Sequence, residues 1–238
     1  MLLMRAEFFE DAGRAFKDTL PVMAGYIVLG IGFGVLLSAK GYGALWAFAM
    51  SVIIYAGSMQ YVIVDMLSGD VTLLTVALTS FMLGARHLFY GISMVDRYRG
   101  AGASKPYMIY ALTDETYSLV CGVEAGKEGQ RRRYHRYCFL VSLFDHLYWI
   151  GGCVLGGLLG PLIPFNTKGI DFVLTALFVT IGVEQWLNTR EHLPALAGYG
   201  ATLVCLLLFG REGFLVPSMV AIAMLLLLLR GKLEPPHE

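Results

Sequence analysis

Charge is scarce in this chain. Asp, Glu, Lys and Arg make up 15% of its 238 residues, against about 25% in a soluble domain. The two signs cancel, with 18 basic and 18 acidic side chains, so no net field selects nucleic acid or an acidic partner. Cysteine is nearly absent: Cys121, Cys138, Cys153 and Cys205 stand singly in apolar runs. Without a CxxC or a His/Cys cluster there is no framework for disulfides or for a metal ion. No metal cluster and no cofactor motif is present, which argues against an enzyme. What remains is apolar. Hydrophobic residues are 57% of the chain and the mean hydropathy is +0.64, more apolar surface than one core of this length can enclose. The composition is that of an all-α polytopic transmembrane bundle, read as a single transport domain over 1–238.

Apolar runs with little charge, about long enough to cross a bilayer, number eight: Leu20–Ser38, Ala44–Val64, Val71–Val95, Pro106–Val123, Tyr137–Gly160, Asp171–Asn188, Leu193–Gly210 and Gly213–Leu229. The fourth is short, with Thr113-Asp-Glu-Thr116 at its middle, inside a polar loop region 96–136. If it only dips into the membrane the count is seven. Loop cations orient the chain. With the N-terminus inside and eight spans, cytoplasmic segments hold 11 Lys and Arg and outer ones 6, the remaining cation being Arg86. The first 19 residues carry Glu7, Glu10, Asp11 and Asp18, too acidic for a signal peptide. They form either a helix along the membrane surface or a short solvated lead-in. Arg131-Arg-Arg133 reads as an orientation signal facing anionic lipid.

A shift of 125 positions aligns Gly57 with Gly182, Gln60 with Gln185 and Arg86 with Arg211. Tyr26–Gly30 also resembles Tyr148–Gly152. Duplicated three-helix halves with a site between them are a common transporter plan; chance matches in a Gly-rich chain are the alternative. In the second run Tyr55-Ala-Gly-Ser-Met-Gln60 sits at mid-membrane. On an unbroken helix Tyr55 and Ser58 share a side and Gln60 faces away. A break near Gly57 would turn both sets into one cavity and free backbone amides for a carboxylate. A straight helix with small residues for close packing is the other reading. The glycines of the first and fifth runs, with Gly152/Gly156 and Gly156/Gly160 at four-residue steps, fit close helix packing.

Five ionisable residues fall inside spans: Arg86, Asp114, Glu115, Asp145 and Glu184. Unpaired, each costs about 2.5–3.5 kcal/mol, so they must be paired, protonated or hydrated. Helical spacing puts Arg86 with Tyr90 and Ser93, Asp114 with Tyr107, Tyr110 and Tyr117, and Asp145 with Ser142, His146 and Trp149. Three polar stripes, each with a charge, suit the lining of one cavity. An inert buried network such as Arg86 with Asp114 is the bland alternative. His87 and His146 are either titrating groups or neutral hydrogen-bonded ones.

Four stretches carry a family resemblance: Tyr55–Gln60, Gly84-Ala-Arg-His-Leu-Phe-Tyr90, Leu112-Thr-Asp-Glu-Thr-Tyr117 and Asp171–Phe178. Together they resemble the AzlC family, the large subunit of bacterial branched-chain amino acid exporters. The family tends to have Asn two positions before the Arg, where this chain has Gly84. The resemblance implies proton-driven export of valine, leucine, isoleucine and often methionine. It also implies a small membrane partner of the AzlD type and a place in the bacterial inner membrane. The residues are compatible with this. Arg86 or the amides near Gly57, Ser58 and Gln60 could take a substrate carboxylate, and Asp114 or Asp145 its ammonium. Phe33, Met59, Phe81 or Trp149 could shape a dry pocket. Tyr55, His87, Tyr90, Glu115 and His146 complete the candidates for substrate or proton binding. A channel-like pore for small solutes, or a structural subunit whose partner holds the site, are the competing functions.

Overall fold

The computed structural model describes residues 2–67, 69, 71–123, 130–162, 179, 182–183, 186–187 and 192–233. Their regular structure is helical throughout, in two units, Met1–Leu174 and Thr175–Glu238. Among the described residues three stretches are long and apolar enough to cross a membrane: Glu7–Ala39, Arg131–Leu162 and Leu193–Gly210. Most of the sixth run, with Glu184 and Gln185, lies outside the described residues.

The first unit contains α1 (Leu2–Ala39), α2 (Ala44–Ile53), α3 (Gly57–Met66), α4 (Leu73–Met94), α5 (Lys105–Tyr110), α6 (Asp114–Cys121) and α7 (Arg131–Leu159). Helices α1 and α7 lie side by side and point the same way. Asp11 pairs with Arg133 and Arg136, at 2.7 and 2.6 Å. Further along, Thr19 meets Tyr148, Gly30 lies on Gly152, Gly34 on Gly156 and Ser38 on Gly160. The glycine and serine contacts keep the register of the Asp11–Arg133 pair, a residue of α1 against the residue 122 positions on. Glycine makes this possible. A Cβ on Gly30 would stand 2.8 Å from the Cys153 nitrogen, and one on Gly152 the same distance from the Ile27 carbonyl oxygen. Bare backbones therefore touch, as small residues four apart allow. The stretches Tyr26–Gly30 and Tyr148–Gly152, alike in sequence, are the ones that face each other.

The acidic N-terminal stretch forms the first five turns of α1. Its acids meet the Arg-rich start of α7: Asp11 is buried, and Arg133 also reaches Glu10 at 3.0 Å. Arg133, read as part of a lipid-facing signal, thus holds α1 to α7 together with Arg136. Asp11→Ala leaves both guanidiniums short of a partner. It is expected to lower the midpoint of thermal unfolding in detergent by roughly 5 °C.

The second and fourth runs are not straight spans. Each is a pair of short helices that folds back. Helix α2 starts beside the far end of α7, where Ala44 packs on Gly157, and descends until the Ser51 carbonyl meets His146. The chain then reverses through Ile54–Ala56. Tyr55 has φ +40°, a left-handed value that costs a non-glycine residue roughly 1–3 kcal/mol, and Ala56 is extended. Helix α3 returns towards the upper part of α1, where the Tyr61 hydroxyl donates to the Leu29 carbonyl at 2.6 Å and its ring packs on Phe33. Helix α4 then runs down to the beginning of α7, where Met94 and Tyr98 join a core with Tyr134, Tyr137 and Cys138.

The second hairpin enters from that same end. Tyr107 of α5 packs on Phe139 and reaches His146, the chain turns at Ala111–Thr113, and α6 descends again. Val120 and Val123 return to the start of α7, the first accepting from Tyr134 at 3.4 Å and the second from Arg97 at 3.0 Å. The tips meet midway along α7: the Tyr110 hydroxyl donates to the Val52 carbonyl. In the second unit, α8 (Leu193–Gly213) and α9 (Leu215–Leu233) pack on each other, with Gly210 at φ +70° kinking the end of α8.

Candidate functional site

The tips of the two hairpins bring broken backbone to the middle of the unit. A helix that ends there leaves carbonyls without partners, and one that starts there leaves N–H groups. The carbonyls of α2 are supplied from neighbours. Ser51 O accepts from His146 Nε2 at 3.2 Å, and Val52 O accepts from Tyr110. Because a carbonyl can only accept, Nε2 carries a hydrogen, and Nδ1 lies 3.0 Å from the Tyr107 hydroxyl. Both ring nitrogens of His146 are thus hydrogen-bonded, with the Tyr55 ring 4.1 Å from its own.

The two helix starts differ. At α6, the Thr113 hydroxyl accepts from the Thr116 amide at 3.3 Å, and Asp114 and Glu115 occupy the first turn, where negative charge suits the helix dipole. At α3 no side chain caps the first turn and no acid lies in it. Gly57 is needed there, since a Cβ would sit 3.1 Å from the Trp149 ring. Trp149 Nε1 donates to Gln60 Oε1 at 2.7 Å. An indole N–H only donates, so this bond fixes the amide and turns Gln60 Nε2 inward, where it is buried with no partner.

Two carboxylates complete the cluster. Asp145 is fully buried; its Oδ2 accepts from the Thr116 hydroxyl at 2.7 Å, and its Oδ1 has no partner. Glu115 Oε2 is 2.6 Å from the Tyr26 hydroxyl, which lies 2.7 Å from that of Thr113. Tyr26 also packs edge-on against Trp149. Buried groups of this kind are costly unless bonded, so the idle atoms here, which include the Gln60 amide donor, the Asp145 carboxylate acceptor and the Tyr55 hydroxyl, are the unusual feature.

Comparison with known proteins decides the family. The family described as AzlC protein matches residues 21–163. The chain is 40% identical over 232 residues to the branched-chain amino acid transport protein AzlC of Bacillus subtilis, covering 97% of this chain and 89% of that one. The chain belongs to the AzlC family. An uncharacterized membrane protein of Haemophilus influenzae is 38% identical over 230 residues, 96% of this chain and 93% of its own. The inner membrane protein YgaZ of Escherichia coli is 29% identical over 191 residues, 78% and 77% of the two chains. No solved structure matches.

The stretch shared with the AzlC family holds the whole cluster, from Tyr26 to Trp149. Of the residues singled out in the sequence, Tyr55, Gln60, Glu115, Asp145 and His146 gather at the tips, with Gly57 beneath Trp149 and Ser58 buried on the same turn of α3. Asp114 opens α6 next to Glu115. Tyr90 lies on the other side of α6, stacked on Tyr117 at 4.5 Å, and His87 is 6.1 Å from the Tyr90 ring. Arg86 is a helical residue of α4 whose side chain lies outside the described residues. The face that groups Asp114 with Tyr107 and Tyr110 does not survive, because the break at Ala111–Thr113 puts them on different helices. Phe81 is largely exposed. Tyr26, Thr113 and Thr116 were not singled out. The pair Thr113-x-x-Thr116 before an apolar turn is a capping signal that could have marked two of them.

Proposed function

We propose that this AzlC family chain is the large subunit of a secondary active exporter of branched-chain amino acids, coupled to protons and working with a small AzlD-type membrane subunit. The observation that carries the reading is the pair of idle polar atoms at the hairpin tips. A zwitterion needs a donor for its carboxylate and an acceptor for its ammonium. Gln60 Nε2, beside the uncapped first turn of α3, supplies the first, and Asp145 Oδ1 the second. Valine, leucine or isoleucine adds an apolar side chain, suited to Trp149, Met59 and Phe33, all buried. The transport role printed for the Bacillus subtilis relative supports the same substrate class.

The reading includes a topology. Helices α1, α4 and α7 cross the membrane, and the α2–α3 and α5–α6 hairpins enter from opposite sides and turn at mid-depth. Residues 2–162 then make three complete crossings where the count of runs expects five. Arg97 and Arg99 support this orientation. The count of runs puts them outside, yet Arg97 lies against His135, and Arg99 borders a hollow with Arg131, Arg132 and Arg136. Cations thus collect at the end where α1 and α7 begin, the cytoplasmic end by the positive-inside rule.

The test is efflux of preloaded labelled leucine from cells making the chain with the small subunit, the chain alone, or neither. Efflux should rise several-fold in the first case and stop when the proton gradient is collapsed. Flux that ignores the gradient would favour a channel. Leucine binding confined to the small subunit would favour a structural role for this chain.

A further inference from the structure

Between the buried Asp145 carboxyl and the half-buried Glu115 carboxyl runs an unbroken line of oxygens. Glu115 Oε2 is 2.6 Å from the Tyr26 hydroxyl, Tyr26 is 2.7 Å from Thr113 Oγ1, Thr113 is 3.1 Å from Thr116 Oγ1, and Thr116 is 2.7 Å from Asp145 Oδ2. Every step is at hydrogen-bond distance. The line crosses α1, the start of α6 and α7.

Counting hydrogens decides what it holds. Each of the four contacts needs one hydrogen between its oxygens, and the hydroxyls of Tyr26, Thr113 and Thr116 bring three. The Thr116 amide also donates to Thr113, but along a different direction. With both carboxyls ionised, the three hydrogens serve the three contacts of 2.6–2.7 Å and leave the 3.1 Å Thr113–Thr116 contact without one. A proton on either carboxyl completes the line. We propose that Glu115 and Asp145 share a single proton, and that the hydroxyls of Tyr26, Thr113 and Thr116 relay it between them.

The transfer balances. With the proton on Glu115, its O–H donates to Tyr26, Tyr26 to Thr113, Thr113 to Thr116 and Thr116 to ionised Asp145. When Glu115 gives up its proton, each hydroxyl passes on its own as it receives one. Asp145 ends protonated, Glu115 ends ionised, and the hydroxyls point the other way. No heavy atom needs to move and no co-reactant is required. The groups around the line are Asp114 on α6, Tyr55 at the opposing tip, and His146 on α7 with Tyr107 of α5. The relay stands on geometry, but its use as the coupling path rests on the transport reading.

The test uses the full chain in lipid vesicles, with and without the small subunit. Two measurements are compared: proton-driven leucine accumulation, and exchange of labelled for unlabelled leucine without a gradient. Tyr26→Phe and Thr116→Val each remove one hydroxyl. Accumulation should fall by about a hundredfold and exchange by about fivefold or less, and Thr116→Ser should restore accumulation. If accumulation and exchange fall together, or neither falls, the relay is wrong. If the unaltered chain moves no leucine, the transport reading fails, and infrared spectroscopy still decides the relay. At neutral pH the unaltered protein should show the carbonyl stretch of a protonated carboxyl that is missing from the Glu115→Gln/Asp145→Asn double variant. Equal spectra would overturn it.

Discussion

Asp145→Asn is expected to lower proton-driven leucine efflux by roughly a hundredfold or more, while the chain still inserts in the membrane. Asparagine keeps the shape of the side chain, and its amide oxygen can still accept from the Thr116 hydroxyl. The variant loses two things. It cannot take up a proton, and it presents a neutral atom where Asp145 Oδ1 now stands buried and idle. An ammonium group taken out of water needs a compensating charge more than it needs a hydrogen bond, so substrate binding and proton exchange fail together. Membrane-fraction abundance and helicity by circular dichroism establish that the variant folds. Efflux at the normal rate from a well-folded variant would remove Asp145 from the mechanism.

Gly34→Val and Gly156→Val are expected to prevent accumulation of folded protein, each costing about 3 kcal/mol or more. The first would drive a side chain into the Cys153 carbonyl, the second into the Ile31 carbonyl. Backbone cannot step aside as a side-chain tip can, so the whole α1–α7 contact would have to open. Gly25 and Gly151 are the controls. They lie on the same helices, a Cβ on either would meet nothing within 4 Å, and valine there should leave the amount of protein in the membrane fraction unchanged. Equal loss from all four positions would mean that helix propensity, and not close approach, is what glycine provides.

These cases also show what a sequence can disclose. Four-residue glycine steps on an apolar run have one simple use, close packing, and the structure puts Gly152 and Gly156 to that use against Gly30 and Gly34. The break before Gly57 was readable because a Gly-Ser pair at the middle of an apolar run leaves polar neighbours on opposite sides unless the helix stops. The direction taken after the break was not readable. It is set by Tyr55 at φ +40°, and nothing in an aromatic residue announces a left-handed turn. The error at the fourth run has the same root. A helical wheel drawn through Ala111–Thr113 groups Asp114 with Tyr107, whereas the hairpin brings Glu115 and Thr116 to the site. Tyr26 is hidden in the sequence because its partners, Thr113 and Glu115, lie 87 and 89 residues further along the chain.

The glycine contact between α1 and α7 has a mechanical consequence. Two backbones pressed together have no layer of side chains between them to shear or repack, so the pair acts as a stator. The hairpins are fastened differently. They hold to it at mid-depth by single side chains, Trp149 to Gln60, His146 to Ser51 and Thr116 to Asp145. Such links exchange at little cost for links to a guest molecule. On the proposed transport reading, the short helices would make the stroke that exposes the buried cluster to one face of the membrane and then the other, swinging against a fixed post.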